Sequence, residues 1–255
     1  MSSAESLQAA QESWALTLLG VVSCVCWPAY YIGMICKSFE DQTYSMALMP
    51  LCCNIACEFV YAAIYPPDVP IYRYIFASWF ALNCMVPFAA LKFAPNESKD
   101  APLVRNNLSW IFTVSLAGWI TAHLALVAQF GPNDAVAWSA WFCQLFLSAG
   151  CLCQLIVRGS SRGTSLFIWQ AGLVASWAPL LPSYMKSCGI GLGMAKLYGT
   201  VPWAGAVGWP SFCWMGSMGV ILWKIQQPET NLRRENAGSK MGPKRSKESR
   251  ATSNG

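Results

Sequence analysis

Glu58 is the only charged residue in PLCCNIACEFVYAAIYPP (residues 50–67), a stretch about long enough to cross a bilayer as a helix. An ionisable group at the centre of a membrane helix costs ~2.5–3.5 kcal/mol on insertion scales, so it is rare, faces the bundle interior and points to function by default. Held away from water, a carboxyl favours its neutral form and stands ready as a proton donor. Asn54, Glu58, Tyr61 and Tyr65 follow 4, 3, 4 spacing, which predicts one polar stripe on a helix. Pro50 frees the carbonyl of Met46 and would kink the helix beside that stripe. The competing reading is a glutamate that only bonds helices together.

Other polar residues fall at similar depth. His123, the only histidine, follows Trp119 and Ser115 by one and two turns. It suits a partner for Glu58, a proton relay or a packing histidine equally well. Gln144, Ser148 and Cys151 share one helical face, and Asn83 and Gln170 lie in other apolar runs, so several helices offer polar atoms to one pocket near the membrane midplane. Trp27 and Tyr31, one turn apart, and Trp119 can present aromatic faces to a carbocation in such a pocket. Aromatic belts and core filling are the plainer use of these rings.

Cysteines and acids exclude several chemistries. Ten of the twelve cysteines fall inside apolar runs, where a thiol behaves as a small apolar side chain. The pairs Cys24/Cys26 and Cys151/Cys153 point to different faces of a helix and make no metal site. The other two, Cys36 and Cys188, fall on opposite sides of the membrane. Acids are scattered, with only Glu40 and Asp41 adjoining, so no cluster is suited to hold Mg²⁺ against a diphosphate. Phosphate loops, dinucleotide fingerprints and nucleophile elbows are missing. No cofactor or metal is expected.

The elements that must position these residues are membrane helices. Hydrophobic residues make up 55% of the 255 and charged residues 11%, against about a quarter charged in soluble domains. Apolar stretches recur at 14–35, 43–65, 71–91, 108–130, 135–157, 165–185 and 203–225. This predicts an all-α integral membrane protein: a seven-transmembrane-helix bundle over 1–225 and a disordered basic cytosolic tail over 226–255. Arg73 weakens the third stretch, and Pro179 and Pro182 interrupt the sixth. With seven crossings, Arg73, Lys186 and Lys196 share one side, and the other 14 of 17 basic residues share the opposite side. The positive-inside rule then makes the N-terminus lumenal and the C-terminus cytosolic. The first residues, with Glu5 and Glu12 and no base, suit a retained signal anchor. Next to a span, the basic tail suits membrane lipid and not nucleic acid, since no folded module surrounds it.

The chain resembles the small seven-span transmembrane terpene cyclases of fungal meroterpenoid and indole-diterpene pathways, especially the paxilline type. The likeness runs through YYIGM (30–34), TYSMALMPLCCNIACEFVY (43–61), APLVRNNLSWIF (101–112), TAHLALVAQFGP (121–132) and WSAWFCQLFLSAGCLCQLIVRGSSRGTS (138–165). It implies a metal-independent cyclase of the endoplasmic reticulum in which Glu58 protonates the epoxide of a lipophilic prenylated substrate. Substrate contacts then fall to Asn54, Tyr61, Trp27, Tyr31, Trp119, His123, Gln144 and Met215. An upstream prenyltransferase or epoxidising monooxygenase is the implied partner. The sequence departs from the pattern at MGSMG, where Met215 replaces a second acid and Met218 a tyrosine, and also at Cys57 and Gln129. Two alternatives stay open: an altered or inactive homologue that binds or scaffolds the pathway, and a small proton-coupled transporter or receptor relaying through Glu58 and His123.

Overall fold

A computed structural model of the chain describes residues 3–178 and 204–241. The expectations that fall on Pro179, Pro182, Lys186, Cys188, Lys196 and 242–255 lie outside those residues. The described chain is helical throughout: α1 (Ser3–Asp41), α2 (Leu48–Phe59) continuing as a π-helix (Val60–Ile64), α3 (Pro70–Asn83), α4 (Met85–Glu97), α5 (Pro102–Phe130), α6 (Pro132–Arg158), α7 (Leu166–Trp177) and α8 (Ala204–Met241). Four stretches among them are long and apolar enough to cross a membrane: 17–41, 70–97, 102–130 and 132–158. Large apolar side chains cover the outside, including Leu103 at 78% exposure and Val157 at 87%. Such a surface is stable in lipid and not in water. The protein is an all-α integral membrane protein.

Local sequence explains the element ends. Gly131 adopts φ +75°, ψ 159°, a conformation open to glycine alone, and so ends α5 and starts α6 in one residue. Pro132 follows at the first helical position, where its missing N–H costs nothing. Between α3 and α4, Pro87 lacks the N–H that would bond the Asn83 carbonyl, and the helix breaks at Cys84. Pro50 does not kink a helix interior as expected. Helix α2 starts at Leu48, so this proline sits in a first turn whose N–H groups have no helical partner anyway.

The tail also differs from expectation. Disorder from residue 226 is overturned for 226–241, which continue α8. The extension runs through Pro228, which has no N–H for the Lys224 carbonyl, so contact with the rest of the bundle and not helix propensity must hold it. Glu229 anchors the extension, accepting from Ser161 through its backbone N–H at 3.1 Å and through its hydroxyl.

Polar contacts gather one end of the bundle. Thr43 Oγ1 donates to Glu97 Oε1 at 2.8 Å, Arg162 Nη1 pairs with the same oxygen at 3.3 Å, and Gly163 N–H donates to Asp41 Oδ2 at 2.7 Å. The C-terminal ends of α1, α4 and α6 therefore lie together. Helix α7 runs antiparallel to α1, with Ser23 bonded to the Ala175 carbonyl at 3.0 Å and Gly33 facing Ile168. At the centre is α2, where every residue from Pro50 to Glu58 is buried. A mostly apolar helix whose few polar groups find partners on its neighbours can take that position.

Candidate active site

Because α2 is enclosed, residues on each of its faces meet a different neighbour. Asn54 and Glu58, one turn apart, meet α1 and α3. Glu58 is 7% exposed. Its Oε1 accepts from the Tyr31 hydroxyl and from Asn54 Nδ2 at 3.4 Å, and its Oε2 accepts from Asn83 Nδ2 at 2.9 Å. Asn54 Nδ2 also donates to the Tyr31 oxygen at 3.0 Å. The carboxyl thus has three side-chain donors from α1, α2 and α3. Asn83 is fully buried at the break between α3 and α4, where Pro87 fixes its placement. Two buried polar atoms on the same face of α3 have no partner among the described residues: Asn83 Oδ1 and, one turn earlier, Trp79 Nε1.

The expected stripe is corrected at its far end. Three residues on from Glu58 turn the helix by about 300°, and this carries Tyr61 towards α6, where its hydroxyl meets Ser139 Oγ at 3.0 Å. The wider turn of the π-helix, closed by Tyr65 N–H to the Val60 carbonyl at 2.8 Å, then swings Tyr65 outward to 40% exposure. His123 is likewise drawn to Ser139, its Nδ1 at 3.0 Å, and not to Glu58. Trp119 packs beside His123, Phe142 and Phe146 in the same group.

A pocket opens on the other side of Tyr31. Its walls are Trp27, Tyr30 and Met34 of α1, Gln144, Leu147 and Cys151 of α6, Ile168, Trp169, Gly172 and Ser176 of α7, and Met215 and Met218 of α8, with Ser45 and Thr164 from connecting segments. Its free volume, about 20 Å³, suits one water. Ser176 donates to Gln144 Oε1 at 2.8 Å and Gln144 Nε2 to Ser148 Oγ at 3.2 Å, so the shared face read on α6 is real. Trp169 Nε1 donates to the Met215 carbonyl at 2.7 Å and holds α8 against α7. Gly172 admits the Tyr30 ring, since a Cβ there would lie 2.9 Å from Tyr30 Cε2.

Of the residues expected to share one site, the structure puts Glu58, Asn54 and Tyr31 in one cluster and Trp27, Gln144 and Met215 around the pocket. Tyr61, His123 and Trp119 form a separate cluster, and Gln170 is turned outward. Glu58 does not line the pocket. The rings of Trp27 and Tyr31, 5.7 Å apart, stand between them. The roles of Asn83 as a donor to Glu58 and of Ser139 as a hub were not visible in spacing, because both depend on contacts between helices far apart in sequence.

Comparison with known proteins supplies the rest. A sequence profile of the Pyr4-like transmembrane terpene cyclases matches residues 3–190. Terpene cyclase dpasB of Apiospora sacchari is 41% identical over 227 residues, covering 85% of this chain and 88% of that protein. Terpene cyclase pyr4 of Aspergillus fumigatus is 39% identical over 235 residues, covering 88% of this chain and 90% of that protein. Terpene cyclase dpmpB of Macrophomina phaseolina is 54% identical over 157 residues, covering 62% of this chain and 65% of that protein. No solved structure matches. Neither the scaffold nor the transporter alternative is favoured by these relatives. Matched over most of its length, with an enclosed acid in an apolar bundle, the chain belongs to the Pyr4-like transmembrane terpene cyclases of fungal secondary metabolism.

Proposed function

We propose that the protein cyclises an epoxidised prenyl chain of a meroterpenoid or indole-diterpene intermediate, with Glu58 as the general acid. The observation that carries this reading is the buried Glu58 carboxyl with donors from three helices. The Glu58 O–H bond breaks as its proton passes to the epoxide oxygen, the epoxide C–O bond opens, and positive charge moves along the polyene. Tyr31, Asn54 and Asn83 stabilise the carboxylate left behind. Trp27 and Tyr30 present ring faces to the cation, and an enclosed site keeps water from trapping it early. Proton loss or capture of a nucleophile ends the cascade.

Beside this acid, and without partners among the described residues, Trp79 Nε1 can donate to a substrate oxygen and Asn83 Oδ1 can accept from a substrate hydroxyl. A pocket of one water does not hold a prenyl chain, so substrate binding parts the α1, α7 and α8 walls. Initiation by a proton needs no metal. With Met215 and Met218 in the walls, the cascade runs on one acid.

The bundle crosses the endoplasmic reticulum membrane seven times in this reading. The end that carries Lys37, Arg158 and Arg162 faces the cytosol, as does the basic tail, and the N-terminus is lumenal. Residues 1–225 form the cyclase unit. A prenyltransferase and an epoxidising monooxygenase supply the substrate.

Turnover by the Glu58→Gln variant is the test. In microsomes given epoxyprenyl substrates, wild type yields cyclised product by mass spectrometry, and the variant falls by about 10²–10⁴-fold, the usual contribution of a general acid. Near-full activity in the variant removes Glu58 from the role.

A further inference from the structure

The face of α2 next to Asn54 and Glu58 carries a second cluster, which the proposed chemistry leaves unused. Cys53 and Cys143 bring their sulfurs to 3.5 Å, and His123 Nε2 lies 3.8 Å from the first and 4.0 Å from the second. All three ligand atoms lie within 4.8 Å of one another. The three residues come from α2, α5 and α6 and are 0%, 1% and 4% exposed for Cys53, His123 and Cys143. We propose that Cys53, Cys143 and His123 bind a thiophilic closed-shell metal ion, Zn²⁺, which clamps α2 to α5 and α6.

Four observations support this. Zinc bonds of ~2.3 Å to sulfur and ~2.0–2.1 Å to nitrogen at tetrahedral angles require S···S and S···N edges of ~3.5–3.8 Å. The three observed separations need shifts of only a few tenths of an ångström to match. Next, His123 Nδ1 meets Ser139 Oγ at 3.0 Å, and Ser139 Oγ meets the Tyr61 hydroxyl at 3.0 Å. That chain aims Nε2 at the two sulfurs, the outer support a metal-binding imidazole needs. Without an ion, Nε2 at 3.2 Å and the Cys143 thiol at 3.7 Å compete for one acceptor, the Cys53 carbonyl, which lies inside a helix. Finally, two thiolates and a neutral imidazole cancel the charge of Zn²⁺, so the loaded site is neutral in a dry interior. Binding releases the two thiol protons to solvent.

The ion is structural in this assignment, and nothing in it depends on Glu58 being the acid. The full chain, purified in lipid nanodiscs and dialysed against a chelator, is expected to retain about one zinc per chain by elemental analysis. The Cys53→Ser/Cys143→Ser double variant loses it, Ser139→Ala binds about 10–100-fold more weakly, and Glu58→Gln retains it. Wild type holding no more zinc than the double variant overturns the site. Copper at the same stoichiometry upholds the site and overturns the choice of ion. Because a variant can fail to fold, wild type is also produced with Co²⁺ in place of zinc. Thiolate-to-cobalt charge-transfer absorption is expected, and its absence overturns the proposal.

Discussion

Replacing Tyr31 with phenylalanine separates the acid's surroundings from the substrate pocket. The ring is 1% exposed and packs at 5.7 Å from Trp27 and 5.9 Å from Tyr30, contacts that phenylalanine keeps. What disappears is one donor to Glu58 Oε1 and one acceptor for Asn54 Nδ2. Asn54 keeps its 3.4 Å bond to Glu58, so the folded state loses about 1–1.5 kcal/mol, one net hydrogen bond. In the transition state the loss is larger, since charge grows on the carboxyl as the proton leaves. A single donor to a developing oxyanion contributes about 2.7–4 kcal/mol. With Asn54 and Asn83 still in place the lower figure applies, a fall of about a hundredfold in kcat. KM should stay within about twofold, because Tyr31 is not part of the pocket wall and ground-state binding is spared. The assay is initial-rate cyclisation in nanodiscs over a substrate series, with thermal unfolding of the same samples. A kcat within threefold of wild type refutes the idea that this hydroxyl supports the acid, and a raised KM at unchanged kcat moves Tyr31 into substrate binding.

Two further substitutions probe the pocket. Met215→Asp buries a carboxyl where Met215 is 7% exposed, so thermal stability drops by about 1–3 kcal/mol for a polar group without a partner. Product ratios should change more than total turnover, and an unchanged profile takes Met215 out of the substrate's path; a gain of cyclisation from a silent parent instead revives the inactive-homologue alternative. Gly172→Ala drives a methyl to within 2.9 Å of Tyr30 Cε2 and should cost about 1–3 kcal/mol as overpacking, with a matching loss of turnover. Unchanged stability would show that this wall of the pocket yields.

Residue type and depth made Glu58 legible, and helical spacing gave Asn54 as its neighbour. Gln144 and Ser148 were equally readable, because a four-residue step keeps both on one face whatever surrounds them. Tyr61 went astray at a three-residue step, which leaves the face by about 60°, and Tyr65 at a π-turn, which periodicity does not announce. Pro50 was misplaced because a proline reads as a kink or a first turn depending on where the helix begins, and the apolar run over 43–65 hides that start. The extension of α8 past residue 226 depends on Glu229 reaching Ser161 across 68 positions. The cysteines show the same limit. Pairing them by closeness in sequence finds Cys24/Cys26 and Cys151/Cys153, whereas the trio that converges draws one residue from each of three helices.

That α2 has two busy faces suggests why so deep an acid is tolerated. An isolated membrane-depth carboxyl carries a cost of a few kcal/mol, and three donors offset it only if α1, α2 and α3 keep their axial register. One helical residue is a rise of ~1.5 Å, so a slip of a single position would pull Tyr31 or Asn83 out of hydrogen-bond range. Register is held away from the acid. Asp41, ten residues beyond Tyr31 on α1, accepts from Gly163, and Glu97, at the end of the α3–α4 rod that bears Asn83, joins Thr43, Arg158 and Arg162. Both anchors lie at the one polar end, where charged pairs avoid the cost of lipid. The acid is therefore positioned by polar and ionic contacts it never touches, gathered at one end of the bundle.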